Sequence, residues 1–167
     1  MLVRLRPCVA SGEEYHSSMF GLNKKVPKIL IIEDFEANHA LYRKIFEDTG
    51  FEVSIMGKVD DSFIETVCQF SPDIISMDLM IDEDFTRQPF AGFYLLSLLK
   101  ADKRTVQIPV IILTAFFEET KVMKARDLGA VDFICVSGHK VQKIPEIFLR
   151  YLHDPKHYVP THPLLRS

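Results

Sequence analysis

Residues 71–80 read SPDIISMDLM, and this stretch decides the fold. Ser71 and Pro72 form a turn signal, a short apolar run follows, and the run ends in a carboxylate, Asp78. Proline is tolerated at the start of a strand, where its missing N–H matters least. Ile74, Ile75 and Met77 supply the near-continuous apolarity of a parallel strand covered on both faces. Such sheets bind ligands beyond the C-terminal ends of their strands, which is where Asp78 falls.

Two further strands are predicted upstream, KILII (28–32), which ends at Glu33 and Asp34, and FEVSIM (51–56). Between them a helix runs over about 36–48, with Ala37, Leu41, Ile45 and Phe46 as its apolar face and Gly50 as its stop. Asp60, Asp61 or Ser62 caps a helix carrying Phe63, Ile64, Val67 and Cys68 at helical spacing. Downstream of Asp78, residues 80–91 are irregular and acidic, with Asp82, Glu83, Asp84 and Pro89. Gly92 opens a leucine-rich helix to about Ala101. IPVIIL (108–113) is a strand ending at Thr114 and Ala115. A helix over 118–128 meets Gly129, suited to a left-handed cap, and VDFICV (131–136) is the fifth strand. Pro145 fits the first turn of a last helix that reaches about His153.

Five strands alternating with five helices imply an α/β domain with a flavodoxin-like, doubly wound parallel sheet in the order 2-1-3-4-5. Residues 1–26 show no steady period and read as an N-terminal tail, 27–153 as the domain, and 154–167 as a proline-rich C-terminal tail. With 47% hydrophobic and 26% charged residues in 167, one ordinary globular domain is expected. A net charge of -3 gives no electrostatic reason to expect nucleic acid or an anionic membrane as partner. No apolar run is long enough to span a bilayer, and Arg4 and Arg6 interrupt the opening residues, so no secretory signal is expected. Cys8, Cys68 and Cys135 lie far apart and form no metal or disulfide spacing, which points to free thiols and a cytoplasmic location. His139, His153, His157 and His162 lack zinc-ligand spacing.

The predicted sheet delivers Glu33, Asp34, Asp78 and Thr114 to one edge. Clustered carboxylates repel, so they need a cation or a raised pKa. Hard oxygen ligands with open positions suit Mg2+, which binds through one or two carboxylates plus a substrate phosphate. A metal-bound carboxylate facing a phosphoryl group is a nucleophile that gives an aspartyl phosphate.

The pieces ILIIEDFEAN, PDIISMDLM, VIILTA and GAVDFICV stand in the order found in two-component response-regulator receiver domains, and the chain from about Lys28 to His153 resembles that CheY-like family. The spacing from Asp34 to Asp78 matches the family's usual one, and Asn38 is similar to a common variant of the first motif. The resemblance implies that Asp78 is the phosphoacceptor and that Asp34, Glu33 and Asp78, with the Met80 carbonyl, hold Mg2+. It implies that Thr114 is the switch hydroxyl, that Ala115 leaves room for the phosphodonor, and that the aromatic Phe133 reports to the face of the fourth helix, fifth strand and fifth helix. The expected activity is that of a single-domain regulator, not an enzyme beyond its own phosphorylation and slow dephosphorylation. It would be phosphorylated by a histidine kinase or phosphotransfer protein and signal to a downstream protein. Met80 and Phe116 flank the site with apolar side chains that orient water poorly, hence the slow decay.

Two departures stand out. Val136 and Ser137 occupy the place of the family's Lys-Pro, leaving Lys140, or His139 or Lys143, as substitute cation. The loop after Asp78 also reaches Gly92 later than usual. Val136 supports the alternative of a pseudo-receiver, a binding module that is not phosphorylated. A haloacid-dehalogenase-like phosphatase is set aside because Met80 stands where that family has a second Asp.

Overall fold

Strands that are apolar on both faces need cover on both faces, and the alternation of elements along the chain supplies it. The computed structural model describes residues 25–81 and 90–166. Its elements are β1 (Lys28–Ile32), α1 (Glu36–Asp48), β2 (Glu52–Met56), α2 (Phe63–Phe70), β3 (Ile74–Met77), α3 (Ala91–Ala101), β4 (Val110–Thr114), α4 (Glu119–Asp127), β5 (Asp132–Cys135) and α5 (Ile144–His153). The strands form one parallel sheet in the order β2-β1-β3-β4-β5, the flavodoxin-like arrangement expected. Ile32 pairs with Met77 and Met77 with Ile112, so the residues that follow β1, β3 and β4 emerge at one edge.

Alternate strand residues face opposite sides. Leu30, Ile75, Met77 and Ile112 pack with Val67, Leu95, Leu99 and Val122 of α2, α3 and α4. Ile29, Ile31, Ile111 and Ile134 pack with Phe46 and Phe148 of α1 and α5, whose rings meet edge to face at 5.1 Å. The buried face of α1 is Tyr42, Ile45 and Phe46, not the expected stripe through Ala37 and Leu41. Leu41 is 42% exposed. Ile45 and Phe46 are buried as expected, while Ala37 and Leu41 are exposed and Tyr42, whose ring is mostly hydrocarbon, completes the face in their place.

Residues 137–143, expected as a loop, lie mostly in two 3-10 turns, Val136–Gly138 and Val141–Lys143. The stretch after His153 was expected as a tail, yet it lies on the domain: Tyr158 and Thr161 donate hydrogen bonds to Asp132, and Leu165 is buried. Prolines there exclude regular structure but do not exclude packing. Cys135 is a free thiol and Cys68 is disulfide-bonded, so the expectation of three free thiols does not hold; sequence spacing registers only local pairs. The expected N-terminal tail up to residue 24, with Cys8, and the acidic run Asp82, Glu83 and Asp84 lie outside the described residues.

Gly92, in the first turn of α3, donates its N–H to the Leu79 carbonyl at 3.2 Å. A Cβ at this position would lie 2.2 Å from the Asp78 carbonyl oxygen and 2.8 Å from Leu79 Cα. Both obstacles are backbone, so neither can swing aside. Gly92→Ala is therefore expected to cost about 1–3 kcal/mol, the usual range for overpacking, read from urea unfolding. An unchanged midpoint would mean that α3 does not approach β3 this closely.

Candidate functional site

The turn out of β1 is built around one buried carboxylate. Glu33 is 3% exposed, and its N–H continues the sheet ladder by donating to the Met56 carbonyl at 3.1 Å. Its two carboxylate oxygens accept from Phe35 N–H and Asn38 Nδ2, both at 3.1 Å. His39 Nε2 donates to the Glu33 carbonyl at 2.6 Å. Asn38 and His39 thus tie the first turn of α1 back onto the strand end, a structural task that the motif reading did not reveal.

Asp78 follows β3 and donates its N–H to the Ile32 carbonyl at 3.0 Å. Its Oδ1 accepts from the N–H groups of Leu79 at 2.6 Å and Met80 at 3.3 Å. These two bonds fix the carboxylate and, among the described residues, leave Oδ2 without a hydrogen bond. One oxygen from each of Glu33, Asp34 and Asp78 lies within 4.8 Å of the others. Burial pushes the Glu33 carboxyl above its ordinary 4.5, and the charges of Asp78 and Asp34 push the same way against the donors of Asn38 and Phe35. Burial, with the same two carboxylates Glu33 and Asp78 nearby, raises the Tyr42 phenol to about 12, so it stays neutral beneath the cluster.

Thr114 ends β4 buried, and its Oγ1 accepts from the Phe116 N–H at 3.2 Å, leaving its own proton to be donated elsewhere. Phe116 packs on Phe90 with ring centroids 5.0 Å apart, and the Lys121 ammonium sits 4.1 Å from the Phe90 ring centre. This clamp offsets the left-handed backbone of Phe90, φ 61°, a conformation disfavoured for a bulky residue. The aromatic residues in TAFF and PFAGF were the available signal for it. Met80 is exposed beside the cluster.

The candidate cations do not converge on the carboxylates. Val136 packs partly buried against the apolar layer under α1 and α5. Lys140 is exposed, and its side chain makes no hydrogen bond or ion pair with a described residue. Lys143 is paired with Glu146 at 2.5 Å, and His139 is exposed.

The sequence pattern of the response regulator receiver domain matches residues 29–141. The chain belongs to the receiver-domain family. The phosphate regulon transcriptional regulatory protein PhoB of Rhizobium meliloti is 30% identical over 125 residues, covering 75% of this chain and 50% of PhoB. The polar-differentiation response regulator DivK of Brucella ovis is 29% identical over 126 residues, covering 75% of this chain and 96% of DivK. This receiver spans 50%, 42% and 32% of the first three curated relatives it matches. A putative response regulator from Chloroflexus aurantiacus has the same fold, with a TM-score of 0.63 at 18% identity over 77% of this chain and 99% of the other. Receivers are signalling modules, and the acidic cluster here is of the kind at which they bind Mg2+. No helix among the described residues is long and apolar enough to cross a membrane.

The raised pKa of Glu33 has a stability consequence. In the folded receiver its ionised form is penalised, so the penalty is absent below pH 4.5 and grows as the pH rises through the folded value. In chelator-containing buffer, Glu33→Gln is expected to have a higher thermal midpoint than the wild type at pH 7. That advantage shrinks as the pH falls toward 4.5. A gap that does not change with pH would refute the burial argument.

Proposed function

We propose that Asp78 accepts a phosphoryl group from a phosphohistidine on a histidine kinase or phosphotransfer protein, and that the receiver then signals by protein–protein contact in the cytoplasm. The observation that carries this reading is the meeting of three carboxylates within 4.8 Å, with the Asp78 Oδ2 taking no hydrogen bond from a described residue. An oxygen of Asp78 attacks phosphorus as the N–P bond breaks, and the imidazole leaves with the bonding pair. The donor set is all hard oxygen and suits Mg2+. Asp34, Asp78 and the Met80 carbonyl would hold the ion directly and Glu33 through water. The bound ion supplies charge neutralisation for the carboxylates and the phosphoryl oxygens. Thr114, whose hydroxyl proton is free, donates to a phosphoryl oxygen. Nothing in this chemistry turns over a separate substrate.

Val136 cannot donate to the phosphoryl group. Lys140 is exposed on the loop between β5 and α5, and we assign it the substitute role. The apolar packing of Val136 favours a second reading, a pseudo-receiver that binds its partner without phosphorylation.

The two readings separate by intact mass after incubation with Mg2+ and a small-molecule phosphodonor. A single acid-stable, base-labile phosphoryl adduct is expected in the wild type, absent from Asp78→Asn and lost when Mg2+ is chelated. No adduct in protein that binds no Mg2+ would support the pseudo-receiver. The adduct is further expected to decay slowly, because Met80 and Phe116 offer attacking water no polar group. Met80→Asn should shorten its lifetime by about tenfold, less than the roughly hundredfold or more of a true general base, because an amide orients water without taking its proton. An unchanged decay rate would remove Met80 from this role.

A further inference from the structure

The face formed by α4, β5 and α5 already carries an occupant, the chain's own residues 158–165. A single buried carboxylate, Asp132 at the start of β5, anchors it. Asp132 Oδ2 accepts from the Tyr158 hydroxyl and from Thr161 N–H and Oγ1, both at 2.9 Å, and Oδ1 accepts from His162 N–H at 3.4 Å. Burial and this bond to Asp132 hold the Tyr158 phenol well above its ordinary pKa, so it remains a donor. The segment then touches each element of the face. Tyr158 lies edge-on to Tyr151 of α5, with centroids 5.2 Å apart. Arg126 of α4 donates to the Leu164 carbonyl at 3.3 Å, and Leu165 is buried in the same apolar cluster as Val122, Ala125 and Phe133.

His162 connects this segment to the acidic site. Its ring lies 6.1 Å from Phe133, the aromatic of β5, and 5.5 Å from Phe117. Phe117 belongs to the short loop after Thr114, and that loop is held by the bond from Phe116 N–H to the Thr114 hydroxyl oxygen. If the hydroxyl turns to a phosphoryl oxygen on Asp78, the Phe116 N–H loses this acceptor and the support under His162 shifts.

We propose that residues 158–165 are a displaceable strap, which covers the α4-β5-α5 face in the unmodified receiver and leaves it when Asp78 is phosphorylated. A partner protein would take its place by offering hydrogen-bond donors to Asp132 and an apolar side chain to the site of Leu165. The proposal rests on the reading of Asp78 given above. It extends that reading by naming what blocks the surface and what displaces it. The strap has no regular backbone ladder and relies on a few separate anchors, as segments at the low-stability end of a fold do.

The test is hydrogen exchange of the full chain with Mg2+ and acetyl phosphate, with intact mass recorded on the same sample. Amides of 158–166 are expected to exchange about tenfold faster in the phosphorylated protein, within the usual range for coupled sites, while β-sheet amides keep their protection. Asp78→Asn should show no change. An adduct with unchanged or slower exchange in the strap would overturn the proposal and leave the Asp78 reading standing. Absence of an adduct would overturn both. Coupling is reciprocal, so Leu165→Ser, which loosens the strap far from the carboxylates, should tighten binding of beryllium fluoride with Mg2+ by the same factor. Unchanged affinity in a Leu165→Ser protein with intact sheet protection would also overturn the strap. Thr161→Ala repeats this arm if Leu165→Ser does not fold.

Discussion

Glu33, Asp34 and Asp78 each bring an oxygen within 4.8 Å of the others, and negative charges that close repel. Much of the surrounding fold keeps them in place against that repulsion. Each is set by backbone rather than by side-chain choice, because the parallel register ends β1 and β3 level, at Ile32 and Met77. Hydrogen bonds from Phe35 and Asn38 hold Glu33, and those from Leu79 and Met80 hold Asp78. Gly92 then closes the arrangement from below, since only a residue without Cβ lets α3 sit against the Asp78 carbonyl. The result is a rigid edge with surplus negative charge, which ion binding or phosphoryl chemistry can relieve.

This edge was legible in the sequence because strand period and strand ends are local properties. Residues 29–32 (ILII) run apolar up to Glu33 and residues 74–77 (IISM), interrupted only by Ser76, run up to Asp78, and parallel pairing then brings those acids together. The features that were not legible depend on contacts between distant residues. Nothing near Asp132 in sequence indicates that its carboxylate takes donors from Tyr158 and Thr161. The prolines of 154–167 advertise irregularity, and irregular segments can still be buried. The buried face of α1 was legible at Ile45 and Phe46 but not in its first half, where Tyr42 is buried and Ala37 and Leu41 are exposed.

The loss of the family's lysine can be weighed. Two unit charges 4 Å apart near a protein surface interact by about 4 kcal/mol. Val136 forgoes that attraction, and Lys140 on its exposed loop would recover a fraction only by giving up side-chain freedom. An aspartyl phosphate at Asp78 would therefore lean on Mg2+ and on Thr114.

That balance bears on how such a receiver can signal. Moving a two-state element from 1:99 to 99:1 needs about 5.5 kcal/mol of differential interaction. The Thr114 hydroxyl, gaining one charge-assisted hydrogen bond to a phosphoryl oxygen, would supply on the order of 1.5 kcal/mol, or about a tenfold change in the ratio. With Lys140 adding only a fraction of an ion pair, an all-or-none rearrangement of a deeply stable face would be out of reach. A strap held by Asp132, His162 and Leu165 would be a better match for a small bias, because an element already close to balance converts a change of about tenfold into a visible change in exposure. On the proposed reading, the weak phosphoryl site and the irregular C-terminal segment would belong to one graded device.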